Sequence, residues 1–157
     1  LKGGASLKDH LRDYCTEAFR FYARIGKPTY QQLRDRLYAE ALASENVVHV
    51  KGSGPSKPTE NAVINAENKV EERIGELLDI LAVEKTMRIL DCYTRQAIEI
   101  VYFTDADKPL QKGDISSRVH QAEIGVPASE KTIYRWLSKA RRMFAEERGL
   151  RVYNKFS

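Results

Sequence analysis

Cysteine and histidine are scarce in this 157-residue chain, with two of the first, Cys15 and Cys92, and three of the second. The cysteines lie too far apart for a metal-knuckle spacing, and so few histidines leave no usual zinc constellation. Reduced thiols fit a cytoplasmic protein. Both cysteines sit in apolar-periodic segments, where buried, inert thiols are expected. His10, His49 and His120 are scattered among polar residues and read as surface groups. No apolar run approaches the roughly 20 residues that span a bilayer, and none follows a basic start as a signal peptide would. A glycine-rich phosphate loop, a nucleophile elbow and a metal-ligand cluster are missing as well. No catalytic residue, cofactor or metal is therefore assigned, and an enzyme is not expected. Strand-like alternation is confined to Val47–Val50, so the chain reads as a soluble, all-α protein.

Charge is abundant and unevenly placed. Lys and Arg number 26 against 22 Asp and Glu, for a net charge of +4. Residues 1–58 carry 10 basic and 6 acidic side chains, residues 59–95 carry 5 and 8, and residues 96–157 carry 11 and 8. Within the last piece, residues 129–157 hold 8 basic against 3 acidic groups. The positive excess is concentrated at that end, where an anionic partner is to be sought.

Hydrophobic spacing divides the chain. Leu7, Leu11, Tyr14, Ala18, Phe21 and Ile25 recur at helical steps until Gly26-Lys27-Pro28 interrupts them. Tyr30, Leu33, Leu37 and Ala41 mark a second helix, so residues 7–45 read as an N-terminal helical hairpin. Residues 46–58, with their Gly, Ser and Pro cluster, read as a flexible linker. A long amphipathic helix follows over 59–82, its seam formed by Val63, Ala66, Val70, Ile74, Leu77 and Leu81. That seam suits either packing within the chain or a coiled-coil homodimer.

Residues 83–153 read as a helix-turn-helix domain. A supporting segment runs from Met87 to Tyr102, with a break near Thr94. A short helix begins near Asp114, a possible N-cap, and Ile115 and Val119 face its core. The third helix is capped by Ser129, with Glu130 at its positive end. At 100 degrees per residue Ile133, Leu137, Ala140 and Phe144 fall on one side, flanked by Trp136. Lys131, Arg135, Ser138 and Arg142 fall on the other, with Lys139 beside them. A recognition helix needs this division, because one face packs on its scaffold while the other enters a groove walled by phosphates. Lys131, Thr132, Tyr134 and Arg135 are the base-contact candidates. Ser138, Lys139, Arg141 and Arg142 are the phosphate-contact candidates.

The run Arg95-Gln96-Ala97-Ile98-Glu99-Ile100-Val101-Tyr102-Phe103 resembles the opening helix of sigma factor region four. Thr132 through Phe144, above all Lys139-Ala140-Arg141-Arg142, resembles its recognition helix. The ending from Phe144 to Tyr153 looks like that of the ArpU- and RinA-like regulators of phages and prophages of Gram-positive bacteria. The resemblance covers roughly residues 62–153. It implies a sequence-specific activator of late genes, bound to double-stranded DNA at the nucleoid and able to contact RNA polymerase. Two departures stand out: His120–Ala128 exceeds the usual three- or four-residue turn, and the loop from Thr104 to Lys112 is extended. No region-two-like segment is evident, which sets a complete sigma factor behind a sigma-like regulator. A phage packaging adaptor of the small-terminase kind is a further alternative, although its DNA-binding fold would stand at the front of the chain. A module binding a partner helix through the Leu and Val seam is another.

Overall fold

A computed structural model describes residues 9–49 and 59–150. Among these residues the regular structure is all helical, as the periodicity expects. The elements are α1 (His10–Arg24), α2 (Tyr30–His49), α3 (Glu60–Glu72), α4 (Ile74–Ile89), α5 (Cys92–Ile98) continuing into a π turn (Glu99–Phe103), α6 (Asp114–Gly125) and α7 (Glu130–Arg148). No helix among the described residues is long and apolar enough to cross a membrane.

Two compact units emerge, and they redraw the expected domains. The described residues up to Lys27 group with those from Ala82 onward, while Pro28–Leu81 form the second unit. The hairpin expected over 7–45 is thereby divided, because α1 and α2 have their packing partners in different units. Residues 50–58 of the expected linker, residues 7 and 8 of the hairpin and 151–153 of the C-terminal domain lie outside the described residues. The remainder of the linker, 46–49, continues α2 as helix, including most of the strand-like Val47–Val50 run.

In the Pro28–Leu81 unit, α2 opens with a reciprocal capping box. The Gln32 N–H donates to Thr29 Oγ1 at 3.1 Å, and the Thr29 N–H donates to Gln32 Oε1 at 2.9 Å. Leu33, Leu37 and Ala41 are buried, as are Ala62, Ala66 and Val70 of α3, and α2 and α3 are neighbours. Lys69 lies 4.0 Å from Glu45, and Arg73, further along α3, senses Glu40, further back along α2. The two helices are thus antiparallel. Of the seam read over 59–82, Ala66, Val70 and Leu77 are buried and Val63, Ile74 and Leu81 half-buried, and its helix is broken at Arg73, whose φ of −100° and ψ of 16° leave the helical region. The Arg73 side chain turns to Glu76 at 2.6 Å across the break, and Gly75 there favours neither helix.

The other unit is organised around α1. Asp9 accepts the Arg12 N–H at 3.0 Å, and Gly26 and Lys27, both at positive φ, end the helix. Cys15, Ala18 and Phe19 are buried, so the inward face is rotated from the expected Tyr14–Phe21 line, and Tyr14 is exposed at 41%. The rotation follows from a partner that spacing alone does not reveal. Phe19 sits between Tyr102 of the π turn and Phe144 of α7, with ring centroids 5.7 and 5.8 Å away, in a core shared with Val83, Ile98, Val119, Ile133 and Leu137.

Arg20, next in sequence, is 1% exposed. Its guanidinium donates to the backbone carbonyls of Tyr102 (3.0 Å), Thr104 (3.2 Å), Asp105 (2.9 Å) and Lys108 (2.6 Å). Arg24 adds a bond to Ala106 O at 3.1 Å. Together they hold the extended loop that follows the π turn.

Helix boundaries nearby also differ from expectation for local reasons. The break anticipated near Thr94 falls at Leu90–Asp91, because Asp91 accepts the Thr94 N–H and caps α5. Arg95 then donates to Met87 O and Leu90 O, satisfying the end of α4. Cys92, at the start of α5, is exposed and not buried. Gly113 at φ 90° occupies the cap position of α6. Asp114 is the first helical residue, and its carboxylate accepts the Gln111 N–H at 2.7 Å.

Replacing Arg20 with Met keeps an unbranched stem but removes every donor, leaving the buried Tyr102 carbonyl without its Arg20 partner and releasing the loop carbonyls of Thr104, Asp105 and Lys108. Arg20→Met is expected to lower stability by about 3 kcal/mol in urea unfolding. Arg24→Ala, in a more exposed bond, should cost no more than about 1 kcal/mol.

Candidate nucleic-acid interface

The turn before α7 is shorter than the sequence suggests. Val119, Ala122 and Val126 continue one buried face, so α6 extends through Gly125 and only Val126–Ser129 separate it from α7. This places the two helices across a four-residue connection and removes the departure anticipated over His120–Ala128. Val126 and Ala128 anchor the connection to the core, while Ile124 stands 90% exposed at its edge.

Ser129 caps α7 as expected, its Oγ accepting the Thr132 N–H at 3.3 Å and lying 3.1 Å from Thr132 Oγ1. Glu130 follows in the first turn, where a carboxylate opposes the positive end of the helix dipole. Ile133, Leu137, Ala140 and Phe144 are all at most 1% exposed, with Trp136 and Met143 packed along the rim. The far end stops at Gly149, in the left-handed conformation at φ 75°.

The eight candidate contact residues separate by environment. Lys131, Tyr134, Arg135, Ser138, Lys139 and Arg142 are exposed. Thr132 is half-buried and engaged in the cap. Arg141 is half-buried too, and its Nη1 donates to the Tyr102 hydroxyl at 2.7 Å, so one of its five donors is spent on the scaffold. Lys139 lies near Asp91, whose carboxyl is held below the usual range first by its hydrogen bond from Thr94 and further by that cation. Among the described residues no carboxylate pairs with Lys131, Arg135 or Arg142. These three cations share the outward face of one rigidly seated helix, an arrangement able to take a polyanion.

Two features escaped the reading of the sequence. A groove runs between the first turns of α1 and the outer flank of α7, with Arg12, Ser138 and Arg142 on its walls. Nothing in the spacing of either helix signals that they meet. The second is a cluster of His120, Glu123 and Glu130, whose donor atoms lie within 4.8 Å of one another. His120 Nδ1 is 3.3 Å from Glu123 Oε1 and 4.0 Å from Glu130 Oε2, which joins α6 to the first turn of α7. The three-residue step from His120 to Glu123 was legible, but the approach of Glu130 depends on the short turn. All three are solvent-accessible, so the cluster acts as a surface ion pair whenever His120 is protonated.

Comparison with protein-family models, with curated proteins and with solved structures finds no match to the chain.

The cap offers a direct check on how α7 is held. Ser129→Ala removes the acceptor for the Thr132 N–H and is expected to cost about 1 kcal/mol in denaturant unfolding, while Ser129→Asp restores most of it.

Proposed function

We propose that this protein binds double-stranded DNA in a sequence-specific manner and regulates transcription, with α6 and α7 acting as a helix-turn-helix and α7 as its recognition helix. The observation that carries the reading is the exposed set Lys131, Arg135 and Arg142, unpaired among the described residues, on a helix whose opposite stripe is fully buried. Packing fixes the orientation of the cationic face before any ligand arrives, so the ordering cost of binding falls on the side chains and not on the helix backbone. Phosphate neutralisation by these side chains releases condensed counterions and supplies affinity for any duplex. Specificity comes from residues near the helix start, where Lys131, Tyr134 and Arg135 reach base edges, Arg135 being able to grip a guanine bidentately. The four-residue connection between α6 and α7 supports the same motif.

The resemblance to sigma factor region four and to ArpU- and RinA-like regulators gives this reading its biological form. The protein activates phage or prophage late genes by docking at a promoter-proximal site and recruiting RNA polymerase. Residues 28–81, a separate compact unit, are free to serve a second partner in that role. Recovery of genomic fragments at near-physiological salt tests the proposal. Enrichment of one or a few intergenic sites supports it, whereas absence of any duplex binding refutes it.

Arg135→Ala is expected to weaken discrimination at one base position by about 1 to 3 kcal/mol. Arg142→Ala should weaken all duplexes alike and reduce the dependence of log K on log salt by about 0.9. Quantitative binding to specific and random duplexes over a salt series separates the two. Equal behaviour of both variants on both duplexes would overturn this division of roles.

A further inference from the structure

We infer that the groove between α1 and α7 seats a backbone phosphate of the same duplex, so that the N-terminal helix is part of the DNA-contacting surface. The inference rests on the DNA-binding reading of α7 and extends it to a helix more than 100 residues away in sequence. The groove, about 200 Å³ in volume, is walled by Arg12 from α1 and by Ser138, Arg141 and Arg142 from α7, over a floor that includes buried Cys15. Three arginines and a serine therefore border one opening, and Ser138 and Arg142 belong also to the exposed face of α7. A phosphodiester strand following that face runs directly into the groove.

The local acids leave this cationic character in place. Asp9 also lines the opening and caps α1 by accepting the Arg12 N–H, so its one negative charge stands against three arginines there. Asp13 approaches Arg12 Nε only at 3.7 Å, with both side chains more than half exposed, a pairing that a phosphate displaces at little cost. The Tyr102 hydroxyl holds Arg141 in place through a single donor. The remaining guanidinium N–H groups match the geometry of phosphate oxygens. Since Arg12 reads no base edge, its contribution is to affinity and to the docking angle, with no effect on sequence choice.

The test is a salt series with the full chain, on the recovered target duplex and on random duplex. Arg12→Gln is expected to lower the slope of log K against log salt by about 0.9 and to weaken both duplexes by a similar factor, roughly three- to tenfold. Arg12→Lys should restore most of the slope. Arg88→Gln, on α4 and paired with Glu84, removes the same charge elsewhere and should leave the slope at its wild-type value. Matched thermal melts confirm that each variant is folded. A wild-type slope for Arg12→Gln, while the unmodified protein binds duplex normally, overturns the groove assignment and leaves the α7 reading intact. An equal fall in slope for Arg88→Gln assigns the effect to bulk charge and also overturns it. Failure of the unmodified protein to bind any duplex removes the α7 reading and the groove together.

Discussion

The end of the π turn after α5 and the loop that follows it present backbone carbonyls to the guanidinium of Arg20, which holds them together. Four carbonyls between Tyr102 and Lys108 converge on that one side chain. Burial, together with the nearby Arg118, lowers the pKa of Arg20 from its ordinary value. That value starts so high that the group remains a cation. A buried charge is tolerated only when its hydrogen bonds are made. Here the requirement runs both ways, since the loop needs the donors and the donors need the loop. The resulting position of α1 sets two further contacts. Phe19 enters between Tyr102 and Phe144, and the first turns of α1 come to lie along α7.

Arginine consequently has two occupations in this protein. Arg20, Arg24, Arg95 and Arg118 donate to backbone carbonyls and finish the ends of helices or hold a loop. Arg12, Arg135 and Arg142 remain exposed. Arg141 stands between the groups, half-buried, tied to the Tyr102 hydroxyl on the scaffold and bordering the groove. A net charge computed from composition mixes these roles. The exposed cations of α7 and the start of α1 are the ones placed to meet a polyanion at short range, whereas the guanidinium groups of Arg20 and Arg118 are buried and stabilised by the dipoles they satisfy.

This mixture explains what could and could not be read in the sequence. The buried stripe of α7, its Ser129 cap and the outward position of Lys131, Arg135 and Arg142 were legible, because each depends only on helical geometry and on neighbours within one or two turns. The all-helical character was legible for the same reason. The partner of α1 was not, because periodicity defines a face without naming what covers it. Arg20 looks like one more surface charge until the carbonyls of Tyr102 to Lys108 are brought to it. Helix ends failed where a side chain overrode the apolar pattern, at Asp91, which caps α5 earlier than Thr94 suggested, and at Arg73, which interrupts the expected 59–82 helix. The apparent nine-residue turn before α7 was an error of another kind. Polar residues such as Gln121 and Glu123 simply occupy the solvent face of α6 while Val119 and Ala122 stay buried.

On the proposed DNA-binding reading, the docking of α1 also links folding to binding. Its contacts with the π turn, the following loop and α7 join residues more than 80 positions apart, so closing the unit orders a large part of the chain before those contacts return any free energy. If one strand of a duplex lies against both α7 and α1, the bound state contains only molecules in which α1 is in place. Ligand then stabilises the closed unit by mass action, in proportion to the logarithm of its concentration above the dissociation constant. Conversely, on the same proposed reading, substitutions at Arg20 or Phe19 that loosen α1 weaken DNA binding without touching a contact residue, by reducing the fraction of molecules competent to bind. A lesion in the scaffold and a lesion in the interface differ in one respect. The first leaves the salt slope of the competent fraction unchanged while lowering its population, and the second changes the slope itself.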